Sequence, residues 1–146
     1  ASYPIEELLD LSPRERAVRS IEVGNTLFDR AYQNKNPERF EAMVKKRMER
    51  QAAFLDKPEA LQGFRRQLAA RATHDTCERI PQIKAPTLIL AGASDGQASL
   101  SGQDFMKAKT PNSTYKTVSG GHNFILEGSE GVKEITAILM HAITKF

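Results

Sequence analysis

Pro86-Thr87-Leu88-Ile89-Leu90-Ala91-Gly92 runs directly into Ala93-Ser94-Asp95-Gly96. The first seven residues are a continuous apolar run with β-branched members, bounded by proline and glycine. That is the pattern of a strand buried on both faces, as in a parallel sheet. A second β-prone run, Tyr115-Lys116-Thr117-Val118, ends on Ser119-Gly120-Gly121-His122. Between the two, Phe105, Met106 and Ala108 fit a helix over 100–109, stopped by Thr110-Pro111-Asn112. Strand, helix and strand in that order predict a right-handed parallel crossover. Both strands then deliver a chemically able side chain, Asp95 and His122, just past their carboxyl ends, which is where open parallel sheets bind ligands.

Working outward, Ile80-Pro81-Gln82-Ile83-Lys84-Ala85-Pro86 marks a change of pattern, because its two prolines rule out a continuing helix. Everything before it reads as helices. Ser12-Pro13-Arg14-Glu15 is a capping box with proline at the first helical position, and Ala17, Val18 and Ile21 follow on one face. Gly24 loosens or ends that helix. Leu27, Phe28, Ala31 and Tyr32 form a short apolar stripe. Asn36-Pro37 opens a helix carrying Phe40, Val44, Met48, Ala52 and Leu55 at helical spacing. A second capping box is expected from Asp56 to Glu59, ahead of Leu61, Phe64, Leu68 and Ala72. These narrow stripes suit a layer lying over something else, and those at Phe40–Leu55 and Leu61–Ala72 are expected to be core first of all. On the other side of His122, Ser129 is expected to cap a closing helix that packs on the sheet through Val132, Ile135, Leu139, Ala142, Ile143 and Phe146.

Composition narrows the classes. The length of 146 residues is that of one domain, and 40% hydrophobic residues suffice for a modest core. The net charge of +3 is spread along helices and interleaved with Glu, as over 41–50, so a nucleic-acid partner is not expected. No apolar run approaches the ~20 residues of a membrane span, and no membrane partner is expected. The start of the chain lacks the layout of a signal peptide. A lone cysteine, Cys77, makes no internal disulfide, so a cytoplasmic location is the expectation. Three histidines, His74, His122 and His141, show no ligand spacing; no metal and no cofactor are expected.

A carboxylate that orients an imidazole, with the imidazole acting as general base, is two-thirds of a hydrolytic triad. The run from Asp75-Thr76-Cys77-Glu78-Arg79-Ile80-Pro81 through Gly92, followed by Asp95, resembles the approach to the penultimate strand region of α/β-hydrolase-fold enzymes. Gly120-Gly121-His122-Asn123-Phe124, with Glu127 shortly after, resembles their catalytic-histidine loop. The similarity is greatest to the lactonase, esterase and cofactor-free haloperoxidase branch. It implies an α/β fold class: the C-terminal portion of an α/β-hydrolase fold, mostly helical with two parallel strands. It implies a helical cap over 1–80 and the C-terminal part of the core over 81–146. It also implies hydrolysis of a small-molecule ester or lactone by acyl transfer to serine, with Asp95 as the acid and His122 as the base.

The departure from that family is large. Its nucleophile elbow, oxyanion-hole loop and first strands precede the cap, and none is found here. The chain is therefore expected to be the C-terminal portion of a longer enzyme and close to inert alone, since loss of a triad nucleophile costs on the order of 10⁶ in turnover. Gly92-Ala93-Ser94-Asp95-Gly96 matches G-x-S-x-G after a strand, the context of a nucleophile elbow. Against it, the motif is short, Asp104 lies inside a predicted helix, and Asp95 already holds the acid's place. Glu127 is expected to support the histidine loop, His74 and His141 to sit in helical segments, and Cys77 to be a small packed residue. The strand over 87–91 is written for two neighbours but is offered one, so self-association through the unpaired edge is expected. A reading of another class is a stand-alone helical domain that binds a partner or an apolar ligand without chemistry.

Overall fold

A computed structural model describes residues 3–126 and 129–143. The chain is mostly helical with two parallel strands, an α/β arrangement. It divides into two compact units. One gathers Pro4–Glu22 and Leu27–Glu78; the other gathers Tyr3, Val23–Thr26 and the chain from Arg79 onward.

The helical unit opens with a 3-10 turn at Ile5–Asp10, and α1 follows at Pro13–Gly24. The capping box that starts α1 closes in both directions. The Ser12 N–H donates to Glu15 Oε2 at 3.1 Å, and the Glu15 N–H donates to Ser12 Oγ at 3.4 Å. The Ser12 hydroxyl also donates to the same carboxylate. That bond holds the Glu15 carboxyl below its ordinary range, helped by the Ser12 backbone N–H. Above the unfolded value of Glu15 this contribution to stability is fully present, and it is lost as pH falls through the lower folded value. Ser12→Ala is expected to cost about 1 kcal/mol at neutral pH. Its denaturant midpoints should also fall less steeply than those of the native chain between pH 5 and pH 3, by the linkage between proton uptake and unfolding.

Asp29 caps α2 (Arg30–Lys35) by accepting from the Tyr32 N–H at 2.8 Å. Asn36 then works backward: its Nδ2 donates to Tyr32 O at 3.0 Å, while Pro37 starts α3 (Pro37–Leu55). Ala17 and Ile21 of α1 meet Phe40 and Val44 of α3 in a fully buried cluster, with Phe28, Tyr32 and Met48 packed around it. Each large side chain buried this way contributes about 1.5–3 kcal/mol.

Two expectations change in this unit. Asp56 is not an N-cap. Its backbone is helical (φ −72°, ψ −6°) and closes the last turn of α3, so extended Lys57 precedes α4 (Pro58–Thr73), with Pro58 at the first position. The stripe on α4 is not core either. None of its residues is fully buried, and the helix touches α3 through an edge-to-face pair, Phe54 and Phe64.

In the strand-bearing unit a 3-10 turn at Ile80–Gln82 leads into β1 (Thr87–Gly92), then α5 (Leu100–Lys109), β2 (Ser113–Val118) and α6 (Ser129–Ile143). The strands pair in parallel with Thr87 opposite Ser113 and Gly92 opposite Val118. Asn112 turns the chain into β2 with φ 39°, a conformation its short polar side chain tolerates, and its carbonyl accepts the Thr87 N–H at 3.1 Å. Along β1 the inward positions Ile89 and Ala91 are buried, whereas Leu88 and Leu90 are only half-buried. The strand is thus covered fully on one face rather than both. Among the described residues it pairs with β2 alone.

Ser129 begins α6 as its first helical residue. The helix touches β2, with Ile135 half-buried and Val132 and Leu139 nearly half exposed. The side chains of Ala142, Ile143 and Phe146 lie outside the described residues, as does Glu127. Among the described residues, no helix is long and apolar enough to cross a membrane.

Candidate functional site

The end of β1 is a sequence of backbone commitments. Past Gly92, the Ala93 N–H donates to Val118 O at 2.8 Å and the Ser94 N–H to Gly120 O at 2.9 Å, so the two strand ends stay in register as they leave the sheet. The Asp95 N–H turns back to Gly92 O at 3.1 Å. Asp95 then organises its own turn: Oδ1 accepts both the Gln97 and the Ala98 N–H, each at 2.8 Å. This is the Asx geometry that makes aspartate a turn residue. With Oδ1 engaged twice, Oδ2 is the oxygen that remains, and it lies 3.0 Å from His122 Nδ1.

The two residues reach one another over 27 positions of sequence. The Asp95 side chain is 7% exposed and the His122 ring 34%, so the carboxylate is sheltered and the imidazole is open at one side. An ionised carboxylate only accepts, so Nδ1 carries the proton and Nε2 is the basic nitrogen. The contact is that of an oriented imidazole presenting a lone pair.

The His122 loop is fixed from behind. The His122 N–H donates to Gly24 O at 2.6 Å, and the Phe124 N–H to Gly121 O at 3.1 Å, with Phe124 itself buried. Gly120 has φ 121°, which glycine alone adopts readily. Gly121 approaches the backbone of Gly24 and Asn25 so closely that a Cβ would collide with Gly24 O and stand 2.6 Å from Asn25 Cβ. Thr26 braces the other loop, its N–H donating to Ser94 O at 2.9 Å and its hydroxyl to the same oxygen at 3.3 Å. The segment Val23–Thr26 is thus the support of both loops. In the sequence it carries only the signal of a helix end at Gly24, and nothing local marks its partners.

The remaining candidates separate from this pair. Ser94 uses its backbone to join the loops, and its hydroxyl makes no hydrogen bond to His122. Its φ is not positive, Asn112 being the one non-glycine residue with that sign among those described, and residues 93–99 separate the strand from α5. That is not the sharp, strained strand-to-helix turn of a nucleophile elbow. Cys77 is exposed rather than packed, because it sits in the turn after α4, where its N–H donates to Asp75 Oδ1 at 2.8 Å. His74 is the C-cap of α4 and His141 lies on α6; both are exposed. Among the described residues no three His, Cys, Asp or Glu side chains gather at metal-binding distance. Protein-family models, curated proteins and solved structures were each compared with the chain, and none matches it.

Proposed function

We propose that the chain supplies the acid and the base of a serine-hydrolase triad of the α/β-hydrolase type, acting on an ester, lactone or related bond. The observation that carries this is the Asp95 Oδ2 to His122 Nδ1 contact of 3.0 Å at the carboxyl ends of two adjacent parallel strands. In this reading His122 Nε2 takes the proton of a seryl hydroxyl as it attacks the carbonyl, and returns it to the departing alkoxide. It then takes a proton from the water that attacks the acyl-serine carbonyl, and gives that proton to the serine oxygen as the acyl–oxygen bond breaks and the acid is released. Asp95 keeps the imidazole in the required tautomer and stabilises the imidazolium at each step. The reading takes its nucleophilic serine from outside these 146 residues, because Ser94 lacks both the bond to His122 and the backbone of an elbow. Sequence supports it through Gly120-Gly121-His122 and Asp95 at the spacing that resembles this family.

The test is labelling of the polypeptide expressed from its complete coding region with a serine-reactive fluorophosphonate, read by mass spectrometry. One serine other than Ser94 is expected to label, and His122→Ala is expected to abolish that labelling. Labelling at Ser94, labelling indifferent to His122, or no labelling of the folded protein would each sink the proposal.

A further inference from the structure

The two outer edges of the β1–β2 sheet differ. Thr87 N–H donates to Asn112 O at 3.1 Å and Ala93 N–H to Val118 O at 2.8 Å, so the odd-numbered amides of β1 face β2. The N–H and C=O of Leu88 and Leu90 therefore point away from β2, because alternate residues of a strand face opposite neighbours. Among the described residues these groups have no partner, and both leucines are only half-buried. No charged residue stands between Lys84 and Asp95 to guard this edge. The outer strand face of β2 is guarded: Lys116 is exposed, as are Thr114 and Thr117. Lysine on an open edge is a common device against unwanted strand pairing, and β1 lacks it.

The ends of the open edge select the strand that fits it. Pro86 has no N–H to give. The Gly92 carbonyl already accepts the Asp95 N–H at 3.1 Å. An antiparallel copy of the same segment, related by a twofold axis at Ile89, suits both. It sets Leu88 opposite Leu90 of the second copy, and Leu90 opposite Leu88. Each such pair exchanges two hydrogen bonds, which satisfies the N–H and C=O of both leucines on both copies. It also sets Gly92 opposite Pro86, so the engaged carbonyl faces the residue without a donor, and the Gly92 N–H faces the proline carbonyl. Moving the axis breaks the match. With the axis at Leu88, the Leu90 carbonyl meets Pro86 and finds no donor. With the axis at Leu90, the Leu88 N–H meets the engaged Gly92 carbonyl.

We propose that the chain forms a twofold dimer in which β1 pairs antiparallel with β1 of a second copy, centred on Ile89. The result is one four-stranded sheet with β2 and its lysine at each outer edge. Leu88 and Leu90 share a face of β1, and across the axis the leucines of the two copies lie side by side and cover one another. The proposal uses no step of the hydrolytic reading and stands whether or not Asp95 and His122 take part in chemistry.

The test is sedimentation velocity of the full chain from micromolar to millimolar concentration, with hydrogen exchange read residue by residue. A shift from the mass of one chain to that of two is expected. The Leu88 and Leu90 amides should be protected in the dimer and exchange quickly on dilution. Leu90→Pro removes one outward N–H from each copy, at an edge position where proline is tolerated. It is expected to weaken association about thirtyfold, because the dimer loses two hydrogen bonds. Leu90→Lys puts a charge on the edge without altering the backbone and should act in the same direction, so it serves where the proline variant fails to fold. Thr117→Lys, on β2, should leave the dimer unchanged. The proposal fails if the chain stays monomeric at millimolar concentration, or if it dimerises while the Leu88 and Leu90 amides exchange freely. It fails equally if the folded Leu90 variants dimerise as tightly as the native chain, or if Thr117→Lys disrupts the dimer as much as they do. A monomer with those two amides protected would give the edge to another segment of the same chain, and would also overturn it.

Discussion

On the proposed hydrolase reading, Asp95→Asn is expected to lower turnover by roughly 10⁴-fold, with the fold intact. The reason lies in how the carboxylate is used. Oδ1 accepts from the Gln97 and Ala98 N–H groups, so an asparagine at this position keeps its carbonyl oxygen there. Its amide nitrogen must then face His122 Nδ1 in place of Oδ2. An NH₂ group donates, so Nδ1 becomes the acceptor and the proton moves to Nε2. The imidazole sits where it did but offers an N–H where the proposed reaction needs a lone pair. Nitrogen-15 shifts of the His122 ring distinguish the two tautomers directly, and this readout is independent of any nucleophile. The expected result is an Nδ1–H ring in the native chain and an Nε2–H ring in the variant, alongside the fall in turnover. An unchanged tautomer with unchanged turnover would mean that Asp95 merely shapes its turn. His122→Ala removes the proposed base itself, and the loss expected on that reading is larger, on the order of 10⁶.

Gly121→Ala is the structural counterpart. A Cβ at this position collides with Gly24 O and stands 2.6 Å from Asn25 Cβ and 3.0 Å from Asn25 Cα. All of these are backbone atoms or the atom next to it, so no rotamer change relieves the clash. The loop cannot retreat across the strand ends either: a Cβ on Gly92 would already stand 2.8 Å from Gly120 O. Forcing a methyl group into such a site costs about 1–3 kcal/mol, which lowers the melting temperature by several degrees in a chain of this size. The displaced loop should also give up the His122 N–H to Gly24 O bond and the 3.0 Å contact with Asp95. The expected outcome is a lower melting temperature together with loss of the Nδ1–H signal. Gly63→Ala is the control. A methyl group there would meet nothing within 4 Å, the position is inside α4, and the change should stabilise by up to about 1 kcal/mol. If Gly121→Ala matched that control, the close approach would carry no weight.

Much of the strand-bearing unit is local in origin, which is why it is legible from residues alone. Pro86 and Gly92 bound an apolar run, and β1 spans Thr87–Gly92. Thr110-Pro111-Asn112 ends α5 because proline cannot continue a helix and asparagine accepts φ 39°. Ser12 and Glu15 cap α1 because each satisfies the other's backbone N–H. Where local signals compete, residue type misleads. Asp56 has the side chain of an N-cap, but Pro58 sets the start of α4 and leaves Asp56 to finish α3. The stripe on α4 has helical spacing, yet spacing says only that a face is apolar, not that another surface covers it.

Residue order alone suffices to put Asp95 and His122 past the ends of two strands joined by one helix, because strand ends and turns follow from residue type over a few positions. Which oxygen of Asp95 faces the imidazole is a property of the folded chain, since it depends on Oδ1 being taken by two backbone N–H groups of its own turn. The placing of Val23–Thr26 behind both loops is likewise a matter of the fold. Thr26 meets Ser94 across 68 positions, chiefly through main-chain atoms that every residue shares. Such a contact leaves no side-chain signature beyond the glycines that permit the approach, and a glycine alone does not say what it makes room for.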